Sequence, residues 1–140
     1  MNLNGPVIII EDDEDDQYLF EQAFNKLNYP NKLLFFDDPQ KALDYLNRKE
    51  VIPFLIMSDI NMPKLNGFEL RDKVRTNELL QNKCIPYLFF TTASDQKSVV
   101  NAYSMSVQGF FVKENSVAHL EQTISIIMQY WKKCIAPNDV

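Results

Sequence analysis

The chain has 140 residues, of which 46% are apolar and 24% are charged, and its formal net charge is −5. This length allows one domain with a substantial core and excludes two ordinary domains. The acidic balance makes nucleic acid a poor partner, since phosphate binding needs clustered Lys and Arg on one face. No apolar run reaches the roughly 18–20 residues of a membrane span and no secretory leader is visible, so we expect a cytoplasmic protein without membrane contact.

Five short apolar runs predict five β-strands. Each run is continuous rather than alternating in polarity, which is typical of parallel strands that are covered on both faces. In chain order the predicted strands are Val7–Ile10, Leu33–Phe36, Phe54–Met57, Tyr87–Phe90 and Phe110–Val112.

Amphipathic helical stripes separate these runs. The first stripe contains Phe20, Ala23, Phe24 and Leu27, and the last contains Val117, Leu120, Ile124, Ile127, Met128 and Trp131. Shorter stripes lie within residues 42–46, 70–74 and 99–103. Start signals agree with these placements, because Asp38 before Pro39 is typical of a helix N-terminus and either Ser94 or Asp95 can cap the fourth helix.

The strand–helix alternation repeats five times and predicts a single α/β domain. We expect a doubly wound, flavodoxin-like fold with a five-stranded parallel sheet in the order 2-1-3-4-5 and helices on both faces. This domain takes up residues 1–140, with a core from about residue 5 to residue 133. The residues from Cys134 onward are too few for an output domain.

Polar side chains follow four of the predicted strands at their carboxyl ends. The first strand leads into Glu11-Asp12-Asp13, the third into Asp59, the fourth into Thr91-Thr92 and the fifth into Lys113. In the expected strand order the first and third strands are neighbours whose connections leave in opposite directions, which opens a crevice between them. The sequence therefore predicts an acidic site at this edge of the sheet.

Such a carboxylate cluster is unfavourable without a cation. The ligands are all oxygen, which favours a hard ion such as Mg²⁺, with Mn²⁺ as a substitute. Lys113 adds a positive charge and Thr91 a hydroxyl, so the arrangement indicates a site for a phosphoryl group with Asp59 as its nucleophile. By contrast, we interpret the three acids Glu14, Asp15 and Asp16 as residues that merely favour a helix N-terminus.

Over nearly its whole length the chain resembles the receiver domain of two-component response regulators. The matching stretches are Ile8–Asp13, Ser58–Pro63 with Gly67, Pro86–Thr92 and Gly109–Lys113. The resemblance implies that Glu11, Asp12, Asp59 and the backbone carbonyl of Asn61 hold Mg²⁺, and that Asp13 contributes only through water.

The resemblance also implies that Asp59 accepts a phosphoryl group from a sensor histidine kinase or a histidine phosphotransfer protein. Lys113 is then expected to pair with the phosphoryl oxygens and Thr91 to hydrogen-bond to them, while Phe110 takes the place of the family's switching aromatic residue. The fourth helix, fifth strand and fifth helix would form the partner-binding surface. Such a domain is a switch and not a turnover enzyme, although it catalyses its own slow phosphoryl transfer and dephosphorylation; Asn61 and Ala93 are expected to tune the latter.

Two positions depart from the family pattern. Glu114 stands where the family usually has a proline in a cis peptide, and a non-proline cis bond costs about 2.5–4 kcal/mol. We therefore predict a trans Lys113–Glu114 peptide. Phe110 replaces the commoner tyrosine, so an output that depends on a phenol hydroxyl is excluded.

Other functions fit the sequence less well. A haloacid-dehalogenase-like phosphatase needs a second Asp two residues after its nucleophile, where this chain has Asn61, and an amide cannot act as a general acid. A flavodoxin-like electron carrier needs a Ser/Thr/Gly loop after the first strand instead of three acids. The main alternative is a receiver-fold module that docks or dimerises without phosphorylation. For the favoured function, a phosphorelay, direct target binding and a homodimer all stay open as outputs.

Cysteine and histidine contribute little to the predicted site. Cys84 and Cys134 share no metal-ligand or redox spacing and are interpreted as free thiols with structural roles. His119 is the single histidine, which excludes a multi-histidine metal site, and we interpret it as an ordinary residue early in the last helix.

Overall fold

The computed structural model describes residues 2–92 and 94–135 and contains one parallel sheet with helices on both faces. The strands are β1 (Val7–Ile10), β2 (Leu33–Phe36), β3 (Leu55–Ser58), β4 (Tyr87–Thr91) and β5 (Gly109–Val112). The helices are α1 (Glu14–Asn25), α2 (Pro39–Leu46), α3 (Gly67–Thr76), α4 (Glu78–Lys83), α5 (Gln96–Ser104) and α6 (Val117–Lys132).

The strand order is β2-β1-β3-β4-β5 and every pair is parallel, which confirms the predicted topology. The predicted bounds were wrong by one residue at both ends of β3, at the carboxyl end of β4 and at the amino end of β5. The hydrogen-bonded ladder takes in Ser58 and Thr91 at carboxyl ends and Gly109 at an amino end, because a polar or small residue can extend a ladder that its apolar neighbours establish.

Alternating residues of the central strands build two cores, one on each face of the sheet. Val7 and Ile9 of β1 face α1 and α6, whose buried side chains include Phe20, Phe24, Ile124 and Met128. Ile8 and Ile10 face the other four helices, which contribute Ala42, Leu46, Leu70, Val74, Leu80 and Ala102. β1 is buried along its whole length, as its unbroken apolar run predicts.

The structure contains one short helix, α4, that the predicted stripes do not include. Asn77 has an extended backbone (φ −83°, ψ 118°) that ends α3, and its side-chain oxygen accepts a hydrogen bond from the Leu80 N–H at the start of α4. Asparagine favours this capping conformation over a helix interior. The described residues therefore form six helices, and the predicted fourth and fifth helices are α5 and α6.

The other start signals hold. Asp38 caps α2 with Pro39 as the first helical residue, and Asp95, one of the two predicted candidates, caps α5. Cys84 and Cys134 are free thiols, as predicted. In the ranges 2–92 and 94–135, no helix has both the length and the apolar character that crossing a membrane requires.

Candidate functional site

Three carboxylates meet where β1 and β3 end. Ile10 lies opposite Ser58 in the sheet, and the N–H of Asp59 donates to the carbonyl of Ile10 at 3.0 Å. Because the two neighbouring strands end at the same level, Glu11, Asp12 and Asp59 place side-chain oxygens within 4.8 Å of one another. This group has the all-oxygen composition that a hard divalent cation prefers.

Asp59 is buried and its two carboxylate oxygens have different donors. Oδ1 accepts the N–H of Ile60 at 2.7 Å, whereas Oδ2 accepts the ammonium of Lys113 at 3.0 Å. The Ser58 hydroxyl donates to the Asp59 carbonyl at 2.8 Å. The first two bonds hold the carboxylate, and the third holds the backbone of Asp59 directly after β3.

Gly67 allows the loop after Asp59 to close tightly. A Cβ atom at Gly67 would lie 2.2 Å from the Asp59 carbonyl oxygen and 2.7 Å from the Ile60 Cα. These distances are far below van der Waals contact with backbone atoms that cannot give way. The Gly67 N–H also donates to the Ile60 carbonyl at 2.8 Å, so α3 begins directly against the loop that carries Asp59.

Lys113 reaches across from the end of β5 and joins three carboxylates. Its Nζ lies 2.6 Å from Glu11 Oε2, 2.7 Å from Asp16 Oδ2 and 3.0 Å from Asp59 Oδ2. Burial alone would lower the pKa of Lys113, but its hydrogen bonds to Asp16, Glu11 and Asp59 raise the pKa above its ordinary value. The lysine is therefore a fixed positive charge at the site.

Asp16 is a site residue that the sequence interpretation missed, because we read it as a helix N-terminal acid only. One signal could have found it. Asp16 lies four residues before the buried Phe20. Residues four apart lie on the same side of a helix, so Asp16 shares the sheet-facing side of α1. Its partner, by contrast, is 97 residues away in sequence.

The surroundings of Glu11 disfavour its negative charge. Burial raises its pKa to about 7, and the charge of Asp59 adds to the rise, although hydrogen bonds from Lys113 and from the Asp13 N–H oppose it. The side chain is almost wholly buried. A second positive charge beside Glu11 would therefore be favourable.

Asp13 has a structural task that is visible in the structure. Its Oδ1 accepts the N–H groups of Asp15 at 2.8 Å and Asp16 at 3.1 Å, which caps α1. Asp13 is not among the three residues grouped as cation ligands. Asn61 is exposed beyond β3, and a ligand role for its backbone carbonyl stays a prediction.

Thr91 and Phe110 lie on the side of the site that faces β4 and β5. Thr91 is fully buried, and its carbonyl accepts the N–H of Lys113 at 2.9 Å. Phe110 is half-buried with its ring centroid 6.3 Å from that of Phe89 in an edge-on arrangement. The expected switch pair thus belongs to two adjacent strands. Ala93, expected to tune dephosphorylation with Asn61, lies outside the described residues.

The peptide that follows Lys113 is trans, as predicted, since the described ranges contain no cis peptide bond. Glu114 turns toward α6, where its Oε1 accepts the Thr123 hydroxyl at 2.8 Å and its Oε2 lies 3.8 Å from His119 Nδ1. A side-chain hydrogen bond, in place of a proline ring, therefore holds this loop.

Comparison with known proteins shows which family has this arrangement. The sequence model of the response regulator receiver domain matches residues 7–125. The chain belongs to this family. Its fold and the position of its acidic cluster are those expected from the sequence motifs of a receiver domain.

Two relatives match this receiver domain over most of their own length. The probable methanogenesis regulatory protein FilR2 of Methanothrix harundinacea is 28% identical over 129 residues, which are 89% of this chain and 82% of the relative. The response regulator Rcp1 of Synechocystis is 23% identical over 134 residues, covering 92% of this chain and 90% of Rcp1.

Solved structures share the receiver fold. The phosphorylated cyanobacterial phytochrome response regulator RcpA has a TM-score of 0.84 at 22% identity, with 96% of this chain and 99% of RcpA covered. The Mn²⁺-bound form of Rcp1 has a TM-score of 0.80 at 22% identity, with 94% of this chain and 97% of that chain covered.

Proposed function

We propose that this receiver domain is a phosphorylation-activated signalling switch in which Asp59 accepts a phosphoryl group from a phosphohistidine donor. The donor is a sensor histidine kinase or a histidine phosphotransfer protein, the partners that receiver domains have in general. One observation carries the proposal: the Asp59 carboxylate lies 3.0 Å from the Lys113 ammonium and beside two further carboxylates.

The residues of the acidic group fit Mg²⁺. Three carboxylates with oxygens within 4.8 Å of one another provide hard ligands, and the raised pKa of Glu11 reflects a need for additional positive charge. Glu11, Asp12, Asp59 and the Asn61 carbonyl would hold the ion, with Mn²⁺ as a substitute. When bound, the ion supplies positive charge that offsets the charge of the phosphoryl oxygens. A Mn²⁺-bound structure of Rcp1 supports this choice by analogy.

The chemical step needs little from the protein beyond positioning and charge. An Asp59 carboxylate oxygen forms a bond to phosphorus as the N–P bond of the donor breaks, and the electron pair returns to the imidazole nitrogen. Lys113 then pairs with the phosphoryl oxygens and Thr91 hydrogen-bonds to them. Attack of water on the same phosphorus breaks the bond between phosphorus and the Asp59 oxygen, releases inorganic phosphate and restores the carboxylate. This step gives slow autodephosphorylation rather than turnover of a substrate.

Phosphorylation of Asp59 changes the surface formed by β5 and the two helices beside it. The new oxygens favour one position of the Thr91 side chain, and Phe110 turns into the space that Thr91 leaves, so the population of the active state rises. The surface formed by α5, β5 and α6 exposes large apolar side chains that a partner or a second copy could cover: Val100, Tyr103, Val112, Ile126 and Tyr130. Output in the cytoplasm then occurs through protein contacts at this surface.

The test is the intact mass of the protein after incubation with acetyl phosphate, with and without Mg²⁺. We expect a gain of one phosphoryl group that requires Mg²⁺ and that Asp59→Asn abolishes without unfolding the protein. If a folded wild type that binds Mg²⁺ gains no mass, the chain instead acts as a docking or dimerisation module that does not need phosphorylation.

A further inference from the structure

Among the three carboxylate partners of Lys113 in the described part of the chain, Asp16 is the one with no other task at the site. Glu11 and Asp59 belong to the group that would hold a cation, and Asp59 is also the proposed nucleophile. Asp16 lies outside that group, yet its Oδ2 is 2.7 Å from Lys113 Nζ. The side chains of the pair are 28% and 12% exposed, respectively, so solvent screens this contact only in part.

The three carboxylates use the full hydrogen-bonding capacity of the ammonium group, which has three N–H donors. When Asp59 carries a phosphoryl group and Glu11 faces a cation, two of those donors lose their present partners. The third N–H group keeps Asp16 as its partner. With this bond kept, the remaining two N–H groups stay on the side of the ammonium that faces Glu11 and Asp59, where the phosphoryl oxygens would lie.

The backbone of Asp16 is held in the capped start of α1. It lies in the first turn of α1, where its N–H donates to Asp13 Oδ1 at 3.1 Å. A small apolar recess beside the pair is formed by Leu19, Phe20, Phe90 and Leu120. A carboxylate on a capped helix, backed by apolar side chains, can fix the direction of a flexible lysine.

We infer that Asp16 is a positioning residue that orients the ammonium of Lys113 toward the phosphoryl group on Asp59. This inference rests on the proposed function of Asp59. The negative charge of Asp16 also offsets part of the positive charge of Lys113. Asp16 is, however, more exposed than Asp59, so solvent screens the charge of Asp16 more strongly. Orientation therefore outweighs this loss, and Asp16 accelerates phosphorylation.

The experiment follows phosphoryl incorporation from acetyl phosphate over time in the presence of Mg²⁺, for the wild type and four variants. Asp16→Ala removes charge and acceptor, Asp16→Asn removes the charge alone, and Asp16→Glu keeps the charge but moves the carboxylate by one methylene. Asp15→Ala is the matched control, because it removes an exposed acid from the same helical turn. Thermal unfolding verifies that each variant is folded.

We expect Asp16→Ala to lower the maximal rate about tenfold, the effect of one lost charge-assisted hydrogen bond. Asp16→Glu should also be slow, Asp16→Asn should recover most of the rate, and Asp15→Ala should match the wild type. The concentrations of acetyl phosphate and Mg²⁺ at half-maximal rate should not change, because Asp16 contacts neither.

An Asp16→Ala rate equal to that of Asp15→Ala overturns the inference, as does an Asp16→Asn rate as low as that of Asp16→Ala. If Asp16→Ala does not fold, the comparison of Asp16→Glu with Asp16→Asn decides in the same way. Failure of the proposed function is distinct, since the wild type would then gain no phosphoryl group at all.

Discussion

Two lysines in different regions of the molecule each bind three oxygen atoms, yet their surroundings differ in kind. Lys83 of α4 donates to the backbone carbonyls of Leu46 at 2.7 Å, Arg48 at 2.8 Å and Val51 at 2.7 Å. Lys113 binds three carboxylates. Burial lowers the pKa of Lys83, whereas the carboxylate partners raise the pKa of Lys113.

The difference separates a structural contact from a functional one. Neutral carbonyls belong to the backbone, so the partners of Lys83 cannot be exchanged without moving the loop after α2. Carboxylates can instead pass from a lysine to a metal ion or to a phosphoryl group without a change of fold. We therefore expect substitutions of Lys83 to affect stability and substitutions of Lys113 to affect chemistry.

The largest expected effect is at Lys113. Lys113→Met should slow phosphorylation by acetyl phosphate about a hundredfold, because the site loses a buried positive charge that faces the transferred group. The rate is measured by intact mass against time with Mg²⁺ present. A near-normal rate in a folded variant would show that the lysine is no more functional than Lys83.

Lys83→Met is the counterpart. This change should lower the free energy of unfolding by about 2 kcal/mol, because partly buried carbonyls lose a charged donor, and should leave the phosphorylation rate unchanged. Urea unfolding monitored by circular dichroism gives the first quantity. A stable but slowly phosphorylated variant would break the distinction between the two lysines.

Glu11, a carboxylate partner of Lys113, should make the stability of the protein depend on pH. The pKa of Glu11 in the folded protein is about 7, whereas the ordinary pKa of a glutamate is 4.5. The folded protein therefore keeps the Glu11 proton up to about pH 7. The folded state therefore binds more protons than the unfolded state in this window, and stability falls as pH rises through it. In Mg²⁺-free buffer, Glu11→Gln should be more stable than the wild type at pH 8 by on the order of 2 kcal/mol, with no difference near pH 4.5.

The measurement is urea unfolding of both proteins across this pH range. Mg²⁺ at pH 8 should stabilise the wild type more than Glu11→Gln, since the variant lacks a ligand charge. A stability difference that does not vary with pH would mean that Glu11 is ionised throughout and that Lys113 alone neutralises it.

The smallest expected effect is at Asn77, which caps the helix that carries Lys83. Asn77→Ala should cost about 1 kcal/mol of stability, typical for the loss of an N-cap, and also removes the bond from Asn77 Nδ2 to Asn47 Oδ1. Hydrogen exchange of α4 amides should accelerate while phosphorylation stays normal. Slower phosphorylation would show that the structural region is coupled to the site.

The sequence was sufficient for the sheet and for most of the acidic edge. Continuous apolar runs identify buried parallel strands, and the carboxyl ends of neighbouring strands must meet, so the meeting of Glu11, Asp12 and Asp59 follows from strand order alone. The short helix α4 did not follow, because its six residues are too few to show a clear amphipathic stripe in the sequence.

Asp16 shows where sequence reasoning ends. Acids in the first turn of a helix are favourable for local reasons, and Glu14, Asp15 and Asp16 look alike in the sequence. Only the rotation of α1 against the sheet distinguishes them, and only the fold brings Lys113 within 2.7 Å of Asp16. The sequence analysis also missed that Asp13 caps α1, because it assigned Asp13 only a role near the metal.

The neighbours Lys113 and Glu114 point to different parts of the molecule: one binds the carboxylates, and the other binds Thr123 in the middle of α6. The peptide unit between them is planar and stiff. A change in backbone orientation at Lys113 would therefore also move Glu114 and its hydrogen bond to Thr123. In this receiver domain, two adjacent residues link the acidic site to the surface of the last helix.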